Sequence, residues 1–421
     1  MLRILGLTTL ACILSATSLN ANAAAAASTG TETSLLWMKV KAKDKFERTR
    51  VANTGVSVEV RADDHVMVLG TAKQAAALEA MGVLEAKFPA TDEMLDFPGR
   101  DSNFHNYEEL KVELQKLAAD FPKITALDSI GKSVEGRDLL RIRISGDLAH
   151  ASQMPATLIM GGHHAREHVS VEVPLMFAQR LLSLYQSGDA EAVRLINSRD
   201  IQIVPMVNPD GAEYDVSGGG YRTWRKNRAS NSDGTMGVDL NRNYAQGFGG
   251  EGASDNTDDE TYHGPAAFSE PETRAVKDWV DSNPNTATLL TVHTYSQLIL
   301  YPWGGSYDKV PDGRDGQVFE TMAKKMATWN GYDPMQASQL YIATGDTCDW
   351  AYSAHKIFAF TFELDPNQFS FGGFYPGQDK VPGIFEKNVK PMMYLIEMAD
   401  NPYRAIEPKA AAFGFSTPLL N

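Results

Sequence analysis

The sequence predicts two folded parts: a small α+β unit, then a larger α/β domain in which helices cover a sheet. Three observations carry this. Between Asn106 and Met398, apolar runs of strand length alternate with stretches of helical periodicity. Between Ser34 and Phe88 the elements instead read β-α-β-β-α-β, the split βαβ arrangement. The segment between the two parts carries Pro98, Gly99 and Arg100, a composition suited to an exposed, cleavable linker. The boundaries expected are 34–90 for the small unit, 91–102 for the linker, 103–400 for the large domain and 401–421 for a tail without clear pattern.

At 421 residues the chain has room for both parts. A formal net charge of -14 argues against nucleic acid and anionic membranes as partners, and says nothing about substrate. Residues 1–23 read as a secretory signal: Arg3, then the apolar stretch Ile4 to Ser15, then Ala21-Asn22-Ala23 as a small-residue cleavage site. That stretch is too short to span a bilayer, so the expectation is a secreted or periplasmic protein rather than a membrane one. Removal of the signal leaves Cys348 as the only cysteine, which excludes an internal disulfide.

Residues 24–34 are Ala-, Ser- and Thr-rich without pattern. Leu35 to Ala42 reads as a strand, Lys43 to Ala52 as a helix, and Val56 to Arg61 with His65 to Gly70 as a hairpin. Thr71 caps a helix through Met81, Gly82 stops it, and Val83 to Phe88 closes the unit, which shows no catalytic constellation. In the large domain, Tyr107, Leu110, Leu114 and Leu117 share a helical face, and Ile124 to Ile130 and Asp138 to Ser145 read as strands. Thr157 to Met160 is a buried strand and Val169 to Tyr185 a helix. Ile201 to Val207 is a strand ending in the turn signal Asn208-Pro209-Asp210-Gly211.

The chemistry concentrates in the loops. Gly161-Gly162-His163-His164-Ala165-Arg166-Glu167-His168 joins a strand to a helix. An imidazole and a carboxylate three residues apart, held at such a junction, can bind one metal ion from the same side. A solvated polar loop is the plain alternative. Leu289 to Val292 delivers His293 from a strand end, where a lone histidine is more often a hydrogen-bonded structural residue. Phe358 to Leu364 alternates strictly. Glu363 therefore shares a face with Ala359 and Thr361, as a carboxylate at a sheet edge or in a site. Trp224-Arg225-Lys226, Asp239-Leu240-Asn241-Arg242-Asn243 and the Gly-containing loop Leu340 to Trp350 complete the set.

Jointly, in this order and at these gaps, the motifs from about Asn106 to Met398 resemble the zinc carboxypeptidases of the pancreatic A/B family, and among them the bacterial carboxypeptidase T type. The resemblance implies a mixed central sheet covered by helices and a secreted zinc exopeptidase that removes single residues from peptide or protein C-termini. It implies His164, Glu167 and His293 as zinc ligands, Glu363 as general base and Arg225 as stabiliser of the oxyanion. Asn241 and Arg242 match the groups that hold the substrate's terminal carboxylate, and Tyr341 the residue that closes over it. Arg166 matches a subsite residue, and Asp239 an acceptor that orients His164. His163 and His168 match no ligand. The N-terminal unit then resembles an inhibitory propeptide, released by an activating protease between Lys87 and Asp101, and the product is a monomer.

Further expectations follow from the resemblance. Cis peptide bonds are implied at Thr294–Tyr295, Pro302–Trp303 and Asp365–Pro366. The specificity pocket is implied to be floored by a loop Thr344 to Asp349, where small Cys348 favours apolar or aromatic residues and Asp346 admits Arg or Lys, a mixed preference. Independently, Asp255, Asp258, Asp259 and Glu260 cluster in one loop as candidate calcium ligands, beside the alternative of a solvated acidic loop. The rivals are a cell-wall peptide or small-molecule amidase on the same fold, and a non-catalytic binding protein. The second is disfavoured because base and ligands all stand.

Overall fold

The computed structural model describes residues 35–61, 64–89, 101–217, 221–366 and 373–407. The predicted signal, residues 24–34, most of the linker and the tail beyond 407 lie outside the described residues. At the N-terminal end, β1 (Leu35–Lys41), β2 (Ser57–Arg61), β3 (His65–Thr71) and β4 (Leu84–Pro89) form an antiparallel sheet in the order β2-β3-β1-β4. Helices Lys45–Ala52 and Ala72–Ala80 complete the predicted β-α-β-β-α-β order. Asp44 caps the first, and Thr71 with Gln74 forms a reciprocal capping box on the second. The alternating Met38, Val40, Val66 and Val68 bury against Ala75 and Leu78. In β2 the pairing with β3 slips between Val58 and Val60, so Glu59 is the extra residue of a bulge.

The large sheet is mixed. It contains β5 (Thr125–Lys132), β6 (Asp138–Ile144), β7 (Ala156–Met160), β8 (Asp200–Val204), β9 (Thr286–Thr294), β10 (Leu298–Tyr301), β11 (Asp333–Gln336) and β12 (Phe358–Leu364), in the order β11-β10-β12-β9-β7-β8-β6-β5. The central strands β12, β9, β7 and β8 run parallel, which brings their carboxyl ends to one edge. Alternation divides the core between two faces. Ile159, Leu290, Val292, Phe358, Phe360 and Phe362 pack beneath helices Val169–Gln186, Gly313–Asn330 and Val381–Met398. Leu158, Met160, Leu289 and Ala359 pack beneath helices Pro271–Ser282 and Thr347–His355. Both sheets belong to one compact unit.

Two local expectations are corrected. The predicted strand through Val207 stops at Val204, and the turn signal after it opens helix Pro209–Val216, with Asn208 accepting from the Gly211 amide and Pro209 in the first turn. The loop expected over Thr344 to Asp349 ends in helix Thr347–His355, because Asp346 caps it through the amides of Cys348 and Asp349. Both are N-cap signals that also read as turns. All three predicted peptide bonds, Thr294–Tyr295, Pro302–Trp303 and Asp365–Pro366, are cis. No helix of the described residues is long and apolar enough to cross a membrane.

Candidate metal centre and cleft

Three strand ends build the centre. After β7 the chain must turn sharply under helix Val169–Gln186. A Cβ on Gly161 would meet the Ser170 carbonyl oxygen at 1.9 Å, and Gly162 sits at φ +63°. The turn presents His164 and Glu167, held by bonds from the Ala165 amide to the Arg225 carbonyl and from the Ser170 hydroxyl to the Glu167 carbonyl. β9 delivers His293, and parallel register with β12 sets Glu363 beside it.

The ligand atoms of His164, Glu167 and His293 all lie within 4.8 Å of one another. His164 Nδ1 is 2.7 Å from Glu167 Oε1, His293 Nδ1 is 3.0 Å from Oε2, and the two Nδ1 atoms are 3.2 Å apart. Each imidazole has an acceptor on its far side. Asp239 Oδ1 lies 3.2 Å from His164 Nε2, and Thr291 Oγ1 lies 3.1 Å from His293 Nε2. With protons on both Nε2 atoms, two lone pairs and a carboxylate converge with no donor between them. That donor set fits zinc. Burial alone would raise the Glu167 carboxyl, yet the two imidazoles overcome this and hold it below the usual range.

Asp239 is the hub of the next layer. Besides His164, it accepts from Arg225 Nε at 2.9 Å and from the Asn241 amide at 3.0 Å. Burial opposes its ionisation, but Arg225 and His164 keep its carboxyl well below the ordinary range. The cleft itself is lined by His164, Glu167, Arg225, Asn241, Arg242, Tyr341 and Glu363 among others. Arg242 is fixed by the carbonyls of Gly252 and Asn241 at 2.9 and 2.8 Å, with Nη2 3.5 Å from the Tyr341 hydroxyl. Glu363 is raised well above the usual carboxylate value, first by burial and then by Glu167 and Glu59, against Arg225 and Arg242.

Several predicted residues sit differently from the expectation. Arg166 does not line the cleft. It is fully buried, with Nη2 on Glu59 at 2.6 Å and Nη1 on Glu260 at 2.7 Å and on the Thr223 carbonyl at 3.1 Å. Asp346 and Cys348 are likewise outside the cleft lining. One Asp346 oxygen caps the helix, and the buried carboxyl lies beside that of Asp349. Cys348 Sγ lies 3.3 Å from Thr361 Oγ1, on the strand face that carries Glu363. Burial raises both Asp346 and its neighbour Asp349.

The calcium expectation is corrected. Three of the four carboxylates turn to separate partners: Asp255 to His263, Asp259 to Gln74, Ser254 and Asn256, and Glu260 to Arg166. Among the described residues, the only cluster of three or more ligating side chains is the His-Glu-His set.

Glu59 escaped the sequence reading. It comes from the N-terminal sheet, lines the cleft with Val58 and Arg61, and reaches it because the bulge re-aims its side chain. The N-terminal unit is stitched to the large domain elsewhere, through its first helix and β1. Arg48 donates to the carbonyls of Gln339 and Leu340, Thr49 meets Tyr307 at 2.7 Å, and Trp37 stacks on Phe374.

Residues 110–390 match the Peptidase_M14 zinc carboxypeptidase family. The chain belongs to that family. It is 34% identical over 380 residues to a zinc carboxypeptidase of Saccharothrix mutabilis subsp. capreolus, covering 84% of this chain and 86% of the relative. To human carboxypeptidase A1 it is 33% identical over 309 residues, 72% of each. The crystal structure of carboxypeptidase A from Helicoverpa armigera superposes with a TM-score of 0.73 at 25% identity, covering 90% of this chain and 99% of that one. This zinc carboxypeptidase is therefore a metallo-exopeptidase acting on peptide C-termini, on a mixed sheet flanked by helices and preceded by a propeptide-like domain.

Proposed function

We propose that the enzyme is an exported, proteolytically activated carboxypeptidase in which Glu363 is the general base. The observation that carries this is the convergence of His164, Glu167 and His293 in one cleft with Glu363, Arg225, Asn241, Arg242 and Tyr341. Zinc, held by the first three, supplies Lewis acidity to a water and to the scissile carbonyl. Glu363 takes a proton as the water oxygen bonds the carbonyl carbon, and hands it to the amine nitrogen as the C–N bond breaks. Arg225, anchored by Asp239, stabilises the oxyanion, while Asn241 and Arg242 hold the terminal carboxylate and Tyr341 covers it.

Activation requires cutting before Asp101, because that residue is buried and bonded to the Tyr221 hydroxyl and the Gln378 amide. For specificity, small Cys348 favours apolar and aromatic side chains, and Asp346, buried beside Asp349 behind the cleft lining, must turn toward the cleft to pair with an Arg or Lys. The test is a panel of blocked dipeptides differing in the last residue, run after proteolytic activation. Phe, Leu, Tyr, Met, Arg and Lys substrates should all be cut, chelation should stop cleavage and zinc should restore it. Asp346→Asn should lower kcat/KM for Arg and Lys by at least about 30-fold, the scale for losing a partner of a buried charge, and leave Phe nearly unchanged. Equal loss on both classes, or no cleavage of Arg by the parent, would refute the mixed preference.

A further inference from the structure

Behind the metal ligands runs a line of buried hydroxyls and imidazoles. It starts at His293. Presenting Nδ1 as a lone pair puts the proton on Nε2, and Thr291 Oγ1 accepts it at 3.1 Å. An accepting hydroxyl still has its own proton to give, and His163 Nδ1 lies 3.2 Å away. With Nδ1 accepting, the neutral imidazole of His163 carries its proton on Nε2, 3.0 Å from the Tyr244 hydroxyl and 3.4 Å from Thr347 Oγ1. Thr347 Oγ1 donates to Asn241 Oδ1 at 2.9 Å, and the Thr347 amide bonds the same oxygen at 3.0 Å. His293, Thr291, His163, Tyr244 and Thr347 are all buried.

We infer that His163 is a positioning residue, joining the metal ligand His293 through Thr291 to Asn241, the amide assigned to the substrate's terminal carboxylate. The inference rests on the site assignment above. From His293 to His163 the donors point one way; the single Nε2 proton of His163 is then shared between Tyr244 at 3.0 Å and Thr347 at 3.4 Å, and Thr347 gives its own to Asn241. At the metal end, a hydrogen bond donated from Nε2 makes Nδ1 a better ligand and fixes the plane of the ring. At the other end, Thr347 occupies Asn241 Oδ1 twice, so the amide Nδ2 is the group left for a carboxylate. Low dielectric strengthens such a chain and makes a gap in it costly. The two halves of substrate handling, carboxylate capture and the metal ligand, are thus held by one buried network.

A merely structural role for these groups would change stability alone. The discriminating readout is zinc affinity, measured on the metal-stripped full-length chain by competition with a chelator of known strength. Thr291→Val keeps the shape and deletes the relay, and should weaken zinc binding about 10- to 100-fold. Thr291→Ser keeps the hydroxyl and should stay within about threefold of the parent. His163→Leu, which leaves Thr291 but cuts the line beyond it, should weaken zinc at least several-fold, and it decides the matter if Thr291→Val does not fold. Parent-like zinc affinity in His163→Leu, whatever Thr291→Val shows, or a Thr291→Ser variant as weak as Thr291→Val, would overturn the inference. His164→Ala is the control: if it kept zinc at parent affinity, the site assignment would fall rather than the relay.

Discussion

Removing the carboxylate of Glu59 should unlock the uncut chain. Glu59 and Arg166 are both buried and meet at 2.6 Å, so the pair is shielded from water and salt. Truncating one partner of a buried, hydrogen-bonded charge pair costs about 2–5 kcal/mol. Arg166 would keep Glu260 at 2.7 Å and the Thr223 carbonyl at 3.1 Å, so it is not left orphaned and the low end applies. About 2–3 kcal/mol of lost docking energy corresponds to roughly 30- to 150-fold more open form. The N-terminal unit retains its contacts from Arg48, Thr49, Asn53, Gln74 and Trp37, so partial release is expected rather than free activity. The assay is hydrolysis of a blocked dipeptide by uncut Glu59→Gln chain, divided by that of the same preparation after proteolytic removal of the N-terminal unit. That ratio should rise about 30- to 150-fold over the parent's, while the cut enzymes become indistinguishable. An unchanged ratio would show that Glu59 does not hold the cleft closed and that docking rests on the other contacts.

Two further outcomes are expected. Glu363→Gln should lower kcat of the activated enzyme by about 10²–10⁴-fold while zinc content stays at the parent level, and a loss of zinc instead would mean that Glu363 supports the metal rather than the proton transfer. His105 Nδ1 lies 2.8 Å from the buried Glu172 carboxylate, and this bond raises the imidazole pKa against the opposing effect of burial. A raised pKa means that the stabilisation is complete below the unfolded value near 6.5 and is lost as pH rises through the folded value. His105→Gln should therefore flatten the fall of melting temperature above pH 6.5, and an identical slope would remove His105 from the account.

What was legible in the chain was whatever depends on near neighbours. Strict alternation in Phe358–Leu364 placed Glu363 opposite three phenylalanines, and the sheet buries those rings against the long helices. His164 and Glu167 are three residues apart on one turn, so their partnership needed no knowledge of the fold. That His293 and Glu363 stand side by side follows from the pairing of β9 with β12, a contact across 70 residues that no local pattern specifies. The resemblance to a family supplied that pairing, and physics on the sequence alone did not. Glu59 was out of reach for a different reason: alternation assigns faces only while the register is unbroken, and a bulge falls on that residue. The acidic loop failed through the same dependence on distant partners. Four carboxylates close in sequence look like a calcium cage until three of them are drawn apart, Glu260 by Arg166 and Asp259 by Gln74, both remote in the chain, and Asp255 by nearby His263. His164 and Glu167 were readable because both members of the pair sit on one turn. Elsewhere the fold decides whether neighbouring acids converge on a cation or disperse into ion pairs.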